Sequence, residues 1–504
     1  MLATAMRVSS VLLAVGALIG AGASWAHADD PPLRLMRDPT SYTDVIDAFD
    51  DDDPFDLNAH IGYSRTADRG TIQREVTDPI THERGRDKIA DSEQITSQLM
   101  FGLDVGLFKD VMAFIRLPLI LSDSRKLSVP GGTSAADLNS PKGPLSDPFD
   151  YGGGSGPLFS VPFNSPTRAG FDYIGIGGAW AVLNQQRHPW QPTWIFLLEG
   201  RRAIGTPLKP CQQVNGKTVC GNKAPGGEDI DGDGVPDGTA DSFSGQSAGS
   251  SKGFSGISFE TRLSRRYRYV EPYMGLGVLI QWASTAQKYF NPGGKLDGNI
   301  NSLPSQTATA TLGSSVIPWE NRGRHQRFSL DLRTTATYLS QGHDYSALYD
   351  ALGTSKHAEL ARPNFEGVRG VDPSNNMPID RCNTNDPSDT NCYVGAKVPF
   401  YGLTDLRARL KYGLRVGIEM QAAEYIRFGL GTGVSWVTNY AITSSDPCNP
   451  NVSTGNRGEA YRGSTCGSGV VNPGHRPTID LPGRRFYMTG EVLVDLYATA
   501  TAQF

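Results

Sequence analysis

From Leu406 to Met420 the chain alternates without a break. Leu406, Ala408, Leu410, Tyr412, Leu414, Val416, Ile418 and Met420 share one register, and Arg407, Arg409, Lys411, Gly413, Arg415, Gly417 and Glu419 share the other. A helix face repeats every 3.6 residues, so a strict period of 2 over this length dictates a strand. Strands of globular proteins run to about 5–6 residues, and this one is much longer. Its second face carries Arg407, Arg409, Lys411 and Arg415. A face so charged is incompatible with a dry core, because burying an unpartnered charge is costly.

The same alternation recurs at 55–66, 93–107, 111–124, 169–184, 193–205, 253–266, 272–284, 305–318, 326–340, 404–420, 425–440 and 485–504. Segment 305–318 has the weakest pattern, small residues alternating. In 169–184 the stretch DYIGIGGAW offers apolar residues to both faces, so its register stays open. The connections fall into two lengths that strictly alternate. The long ones are 67–92, 125–168, 206–252, 285–304, 341–403 and 441–484, and both chain ends fall on the short side. Counting 305–318 keeps neighbours antiparallel and gives twelve strands, although fourteen stays open. Lipid supplies no hydrogen-bond partner, so a sheet that crosses a bilayer must close on itself. Antiparallel strands in even number, short turns at one end and long loops at the other predict an all-β transmembrane barrel over 55–504. A soluble sandwich also alternates, but does not account for the strand length and the two loop classes together.

The chain ends VLVDLYATATAQF. Val494, Leu496 and Phe504 lie in the apolar register. This strand resembles the C-terminal β-signal of bacterial outer-membrane barrel proteins. The resemblance implies contact with outer-membrane lipid, recognition by the barrel-assembly machinery, and a lipid-facing Phe504 at the periplasmic rim. The sequence departs from that family at Ala498, Ala500 and Ala502, where bulkier residues are usual. The acidic DDPFD before the first strand and the Asp-rich loops also resemble uncharacterised outer-membrane proteins of myxobacteria, a likeness that brings no function.

Residues 1–28 hold one charged residue, Arg7, an apolar run VLLAVGALIGAGA and the A-x-A site Ala26-His27-Ala28. This is the pattern of a secretory signal peptide. Its removal takes the net charge from -5 to -6 (-5 minus the one charge of Arg7), an acidic balance that argues against nucleic acid. Residues 29–54, acidic and Pro-rich, read as a periplasmic arm. The six cysteines fall as local pairs, Cys211 with Cys220, Cys382 with Cys392 and Cys448 with Cys466. In an oxidising compartment such pairs read as loop-stapling disulfides, although six cysteines permit 15 pairings.

If apolar residues face lipid, the opposite register lines the lumen. That set includes Arg116, Glu199, Arg201, Glu260, Arg262, Asp331, Arg333, Arg407, Arg409, Lys411, Arg415, Glu419, Arg427 and Asp495. An acid-x-Arg pattern recurs at Glu199/Arg201, Glu260/Arg262, Asp331/Arg333 and Asp405/Arg407. Residues two apart share a face, so each pair is expected to point inward. Two readings compete. The charges line a water-filled path for a small polar solute, or they pair and fill a plugged barrel whose outer loops do the work. In an open pore the wall with Arg407, Arg409, Lys411 and Arg415 would favour anions.

Loop 206–252 contains DIDGDGVPD, which sets Asp229, Asp231, Asp233 and Asp237 around Gly232 and Gly234. Hard oxygen ligands at alternate positions of a tight turn suit calcium. The stretch resembles a thrombospondin type-3 calcium repeat, which implies a structural calcium ion. Some twelve-stranded barrels are lipid hydrolases with a Ser/His pair on the lipid-facing wall. Here only His60 falls within an expected membrane strand, and it points inward, so no catalysis is expected.

Overall fold

The computed structural model describes residues 42–46, 56–77, 84–146, 156–214, 216–220, 247–284, 303–321, 324–361, 400–423, 425–449, 470–472 and 474–504. Among them, twelve long strands form one antiparallel sheet. They are β1 (Leu57–Thr77), β2 (Arg84–Phe108), β3 (Val111–Ser128), β4 (Tyr173–Leu183), β5 (Thr193–Ala203), β6 (Phe254–Ser264), β7 (Val270–Ala283), β8 (Thr307–Asn321), β9 (Gln326–Leu339), β10 (Arg409–Ala423), β11 (Ile426–Val437) and β12 (Phe486–Gln503). Each pairs with its neighbour in sequence, and β12 returns to pair with β1 from Asn58↔Gln503 to Arg74↔Phe486. The sheet therefore closes as a barrel, as the alternation predicts.

The pleat sorts the side chains. On β10, Leu410, Tyr412, Leu414, Val416, Ile418 and Met420 are exposed on the outside, while Arg415 ion-pairs with Asp495 inside. Segment 305–318 is a strand, with Ala308, Ala310, Leu312 and Val316 outward. The open register of 169–184 resolves with Ile176, Trp180 and Val182 outward and Ala179 and Ala181 inward.

Two boundaries need correction. Segment 67–92 is mostly strand rather than loop, because β1 and β2 pair continuously out to Thr77↔Arg84. About 9–11 tilted residues cross a bilayer, so these strands of 21 and 25 residues continue well past it. Beyond lipid the outer face no longer has to be apolar, and the hydrophobic period fades although the hydrogen bonding continues. The alternation from Leu406 also overreaches. Thr404–Leu406 pairs with Gly342–Asp344 in a ribbon separate from the barrel, and Leu406 is 1% exposed within an apolar cluster rather than facing lipid.

The outer loops build that cluster. Ile72, Ile89, Leu127 and Phe486, from the outer ends of wall strands, pack with Leu348, Leu352, Phe400, Ile442 and Ile479 from the loops. The burial of these apolar side chains favours a folded cap over the extracellular end. Arg168 and Asp350, 1% and 3% exposed at their side chains, ion-pair inside it at 2.6 Å. Arg74 donates to the carbonyls of Pro144 and Ser146 (both 2.8 Å) and Thr478 (3.0 Å), which ties the β1 extension to two loops.

Candidate functional site in the barrel lumen

The inner wall is a surface of ion pairs. Glu199 and Arg201 on β5 join through two hydrogen bonds of 3.0 Å, and Glu260 and Arg262 on β6 through bonds of 2.7 and 2.8 Å. Asp331 and Arg333 on β9 lie 3.4 Å apart. The pleat explains this arrangement: residues two apart stand side by side, and the planar guanidinium matches a carboxylate. Other pairs cross strands. Arg116 on β3 meets Asp104 on β2, with His60 of β1 at 3.6 Å, and Arg415 reaches Asp495 at 3.0 Å. Lys411 and Arg409 face the acids Asp68 and Glu491, and Glu419 lies near Asp331 and Tyr497. The strand rich in cations is therefore balanced by acids of β9 beside it and of β12 and β1 further round the wall.

One residue of the expected wall lies elsewhere. Arg407 precedes β10, where its N–H donates to the Ala441 carbonyl (3.0 Å) and its guanidinium reaches Gln341 (3.4 Å) and Asp446 (3.8 Å). Its expected partner Asp405 instead contacts His343 Nδ1 at 2.7 Å. The physical reason is the strand boundary: the barrel pleat begins at Arg409, so parity counted from Leu406 has no meaning above it.

Alternation alone did not single out the lumen aromatics. Tyr173 lies beneath Arg201 (5.0 Å, guanidinium carbon to ring centre), Tyr273 near Arg333 (5.4 Å) and Tyr497 beneath Arg415 (4.7 Å). All occupy the inward register; parity counted from Glu271 and Asp495 finds Tyr273 and Tyr497, whereas the strand of Tyr173 carries no charge to count from. Tyr497 fits because Gly417 and Gly431 face it; a Cβ at either would overlap its phenol.

No parity argument reaches residues 42–46. The arm expected in the periplasm enters the barrel here, near the end that carries the short turns. The Tyr42 ring packs on Tyr273, tilted by 30° with centroids 4.4 Å apart, and Arg262 and Arg333 lie 4.9 and 4.8 Å from its centre. Thr43 hydrogen-bonds Ser264 (2.7 Å), and Asp44 ion-pairs with Arg427 (2.9 Å). Val45 and Ile46 pack on Met112, Phe114 and Ala179. The segment thus touches β3, β4, β6, β7, β9 and β11 and runs across the lumen.

Outside the membrane, Asp480 is buried in the cap. Burial pushes its carboxyl up to about 8, although it accepts backbone N–H groups from Ser445 (3.0 Å) and Arg476 (2.8 Å). Burial also draws Arg476 down to about 10 and lowers His475. The pattern G-x-S-x-G, the signature of a hydrolase elbow, occurs at Gly245–Gly249 and Gly249–Gly253. Ser251 within it is buried, and its hydroxyl donates to Asp172 at 2.6 Å. The segment leads into β6 rather than into a helix, unlike a nucleophile elbow.

Cys211 and Cys220 form a disulfide across the ribbon Cys211–Val214 and Lys217–Cys220. Cys382, Cys392, Cys466 and the side chain of Cys448 lie outside the described residues, as do Asp229, Asp231, Asp233 and Asp237. Phe504 is 65% exposed at the rim and Val494 and Leu496 are exposed on the outer face. An antiparallel, even-stranded, single-chain barrel with an apolar outside and a charged inside is the build of a bacterial outer-membrane protein. The chain is an outer-membrane β-barrel.

No family model matches the sequence, and no curated protein matches it. Solved structures do. An outer-membrane channel from Pseudomonas putida F1 aligns over 93% of this chain and 99% of its own at 8% identity, with a TM-score of 0.34. A FadL homologue from Pseudomonas aeruginosa aligns over 89% and 90% at 8% identity (TM-score 0.30). The outer-membrane protease OmpT from Escherichia coli aligns over 92% and 100% at 7% identity (TM-score 0.24). Channels and a protease both stand among them.

Proposed function

We propose that this barrel is a channel for small polar solutes rather than an enzyme. The observation that carries the reading is the wetness of the charged wall. Inside a closed cylinder the Arg201 side chain is 27% exposed and that of Arg415 is 42% exposed. A wall built to fill space would exclude water from its charges, whereas paired but hydrated charges form a transverse field past which a polar solute can move. The cap and the segment 42–46 make the described conformation a closed one. Reconstituted in a planar bilayer, the full chain should give stepwise conductance, rare for the native sequence and frequent for Tyr42→Ala. Flat traces from both would sink the channel reading.

A second reading has its own support. The extensive ion pairing and the apolar loop cluster suit a plugged barrel whose surface loops engage a partner, and flat traces would favour it. In either case we propose that barrel-assembly machinery reads the terminal strand, that Asp229, Asp231, Asp233 and Asp237 hold a structural calcium ion, and that Cys382 with Cys392 and Cys448 with Cys466 staple the remaining loops.

A further inference from the structure

We propose that the pocket around Tyr42 is a solute-binding subsite for an aromatic carboxylate, which Tyr42 to Asp44 occupy as a tethered mimic. This inference rests on the channel reading and names its solute class. The pocket belongs to the wall, whereas its occupant belongs to no strand. Two guanidiniums from different strands, Arg262 of β6 and Arg333 of β9, flank one ring at 4.9 and 4.8 Å. Tyr273 packs against the same ring at 4.4 Å in a tilted arrangement, with its hydroxyl accepting from Arg333 Nε at 3.0 Å. Gly275 leaves the slot open, since a Cβ there would overlap the Tyr42 hydroxyl.

The electrostatics define the ligand further. Arg262 and Arg333 already have wall carboxylates, Glu260 and Asp331. Their guanidinium carbons also lie over the ring, an arrangement that favours an aromatic face over an aliphatic one. The carboxylate of the occupant goes elsewhere: Asp44 reaches Arg427 on β11 at 2.9 Å. The arm thus presents a ring beside two guanidiniums and, two residues on, an acid on a further arginine, the two groups that an aromatic carboxylate carries. Arg262 also donates to the Tyr42 carbonyl at 3.0 Å, which supplies a contact for a polar group beside the ring. A solute that binds here competes with the arm, so occupancy and opening are coupled.

Equilibrium binding of 4-hydroxyphenylacetate to the full-length barrel in detergent, measured by calorimetry, tests this. Tyr42→Ala should bind at least about ten-fold more tightly than the native chain, because the competing ring is gone. Asp44→Asn should give a smaller gain, by freeing Arg427 from its ion pair with the arm. Cyclohexylacetate, with the same charge and no π face, should bind Tyr42→Ala at least about ten-fold more weakly. The heat-dependent gel mobility of each variant reports whether its barrel is folded. Equal affinity in native chain and variants, no binding, or equal affinity for the saturated ring each overturns the subsite. Because binding is read without a membrane, conductance without binding removes the subsite and leaves the channel. Binding without conductance keeps the subsite and removes the channel.

Discussion

Asp480 illustrates what a buried carboxylate does in the cap. Its folded carboxyl, pushed up to about 8 by burial, lies above the unfolded value of about 3.9. The folded state therefore binds more protons than the unfolded one between those limits, and stability falls as pH rises through them. Its contribution is fully present below about pH 4 and lost by about pH 8, on the order of a few kcal/mol at most. The calorimetric melting temperature of the cap should accordingly drop between pH 5 and pH 8, and Asp480→Asn should flatten that slope. An unchanged slope in the variant would assign the pH dependence to another group. Residue parity also explains which lumen contacts were legible. Glu199 with Arg201 and Glu260 with Arg262 follow from spacing alone, because a strand pleat brings residues two apart together. Arg116 with Asp104 does not, because it depends on the register between β2 and β3.

At the scale of elements, β12 closes the barrel and Phe504, the residue after it, takes part. Phe504 N–H donates to the Leu57 carbonyl at 2.8 Å, and Leu57 N–H donates to the Phe504 carbonyl at 3.0 Å. Phe504 thus completes the seam while its ring stays exposed. Deleting Phe504 removes both bonds and the exposed ring, so the yield of folded barrel in the membrane should fall several-fold, with the cap disulfide Cys211–Cys220 still formed. Unchanged yield in a membrane fractionation would separate this residue from assembly. The β1–β2 hairpin teaches the reverse lesson. Its outer half continues the hydrogen-bond ladder beyond the bilayer without the apolar period that marks a strand in sequence, which is why 67–92 reads as a loop.

At the scale of the whole molecule, the described residues form a cylinder with a charged inner wall, an apolar cluster of loops and strand ends at one end and a segment from outside the sheet near the other. The loop cluster covers one end and residues 42–46 cross the lumen near the other. Loop order bears on the first end, because loop 206–252 contributes Leu208 to a cluster with Tyr345, Tyr349 and Leu403. A calcium ion held by Asp231 and its neighbours would neutralise carboxylates that otherwise repel one another. Chelator should then lower the hydrogen-exchange protection of amides in 206–252, and Asp231→Ala in calcium buffer should match that loss. Equal protection with and without chelator would remove the ion.

The sequence alone determined most of the wall: antiparallel strands in even number, their order, the lipid face of all but 169–184 and most of the charges within. It could do so because a bilayer imposes one chemical rule on every alternate residue, and a rule applied residue by residue leaves a local pattern. Only the tertiary structure decided what occupies the interior. The place of Tyr42 among Arg262, Arg333 and Tyr273, the loss of Arg407 from the wall and the apolar cluster above it join residues far apart in the chain. Their contacts obey no period, so no stretch of sequence records them.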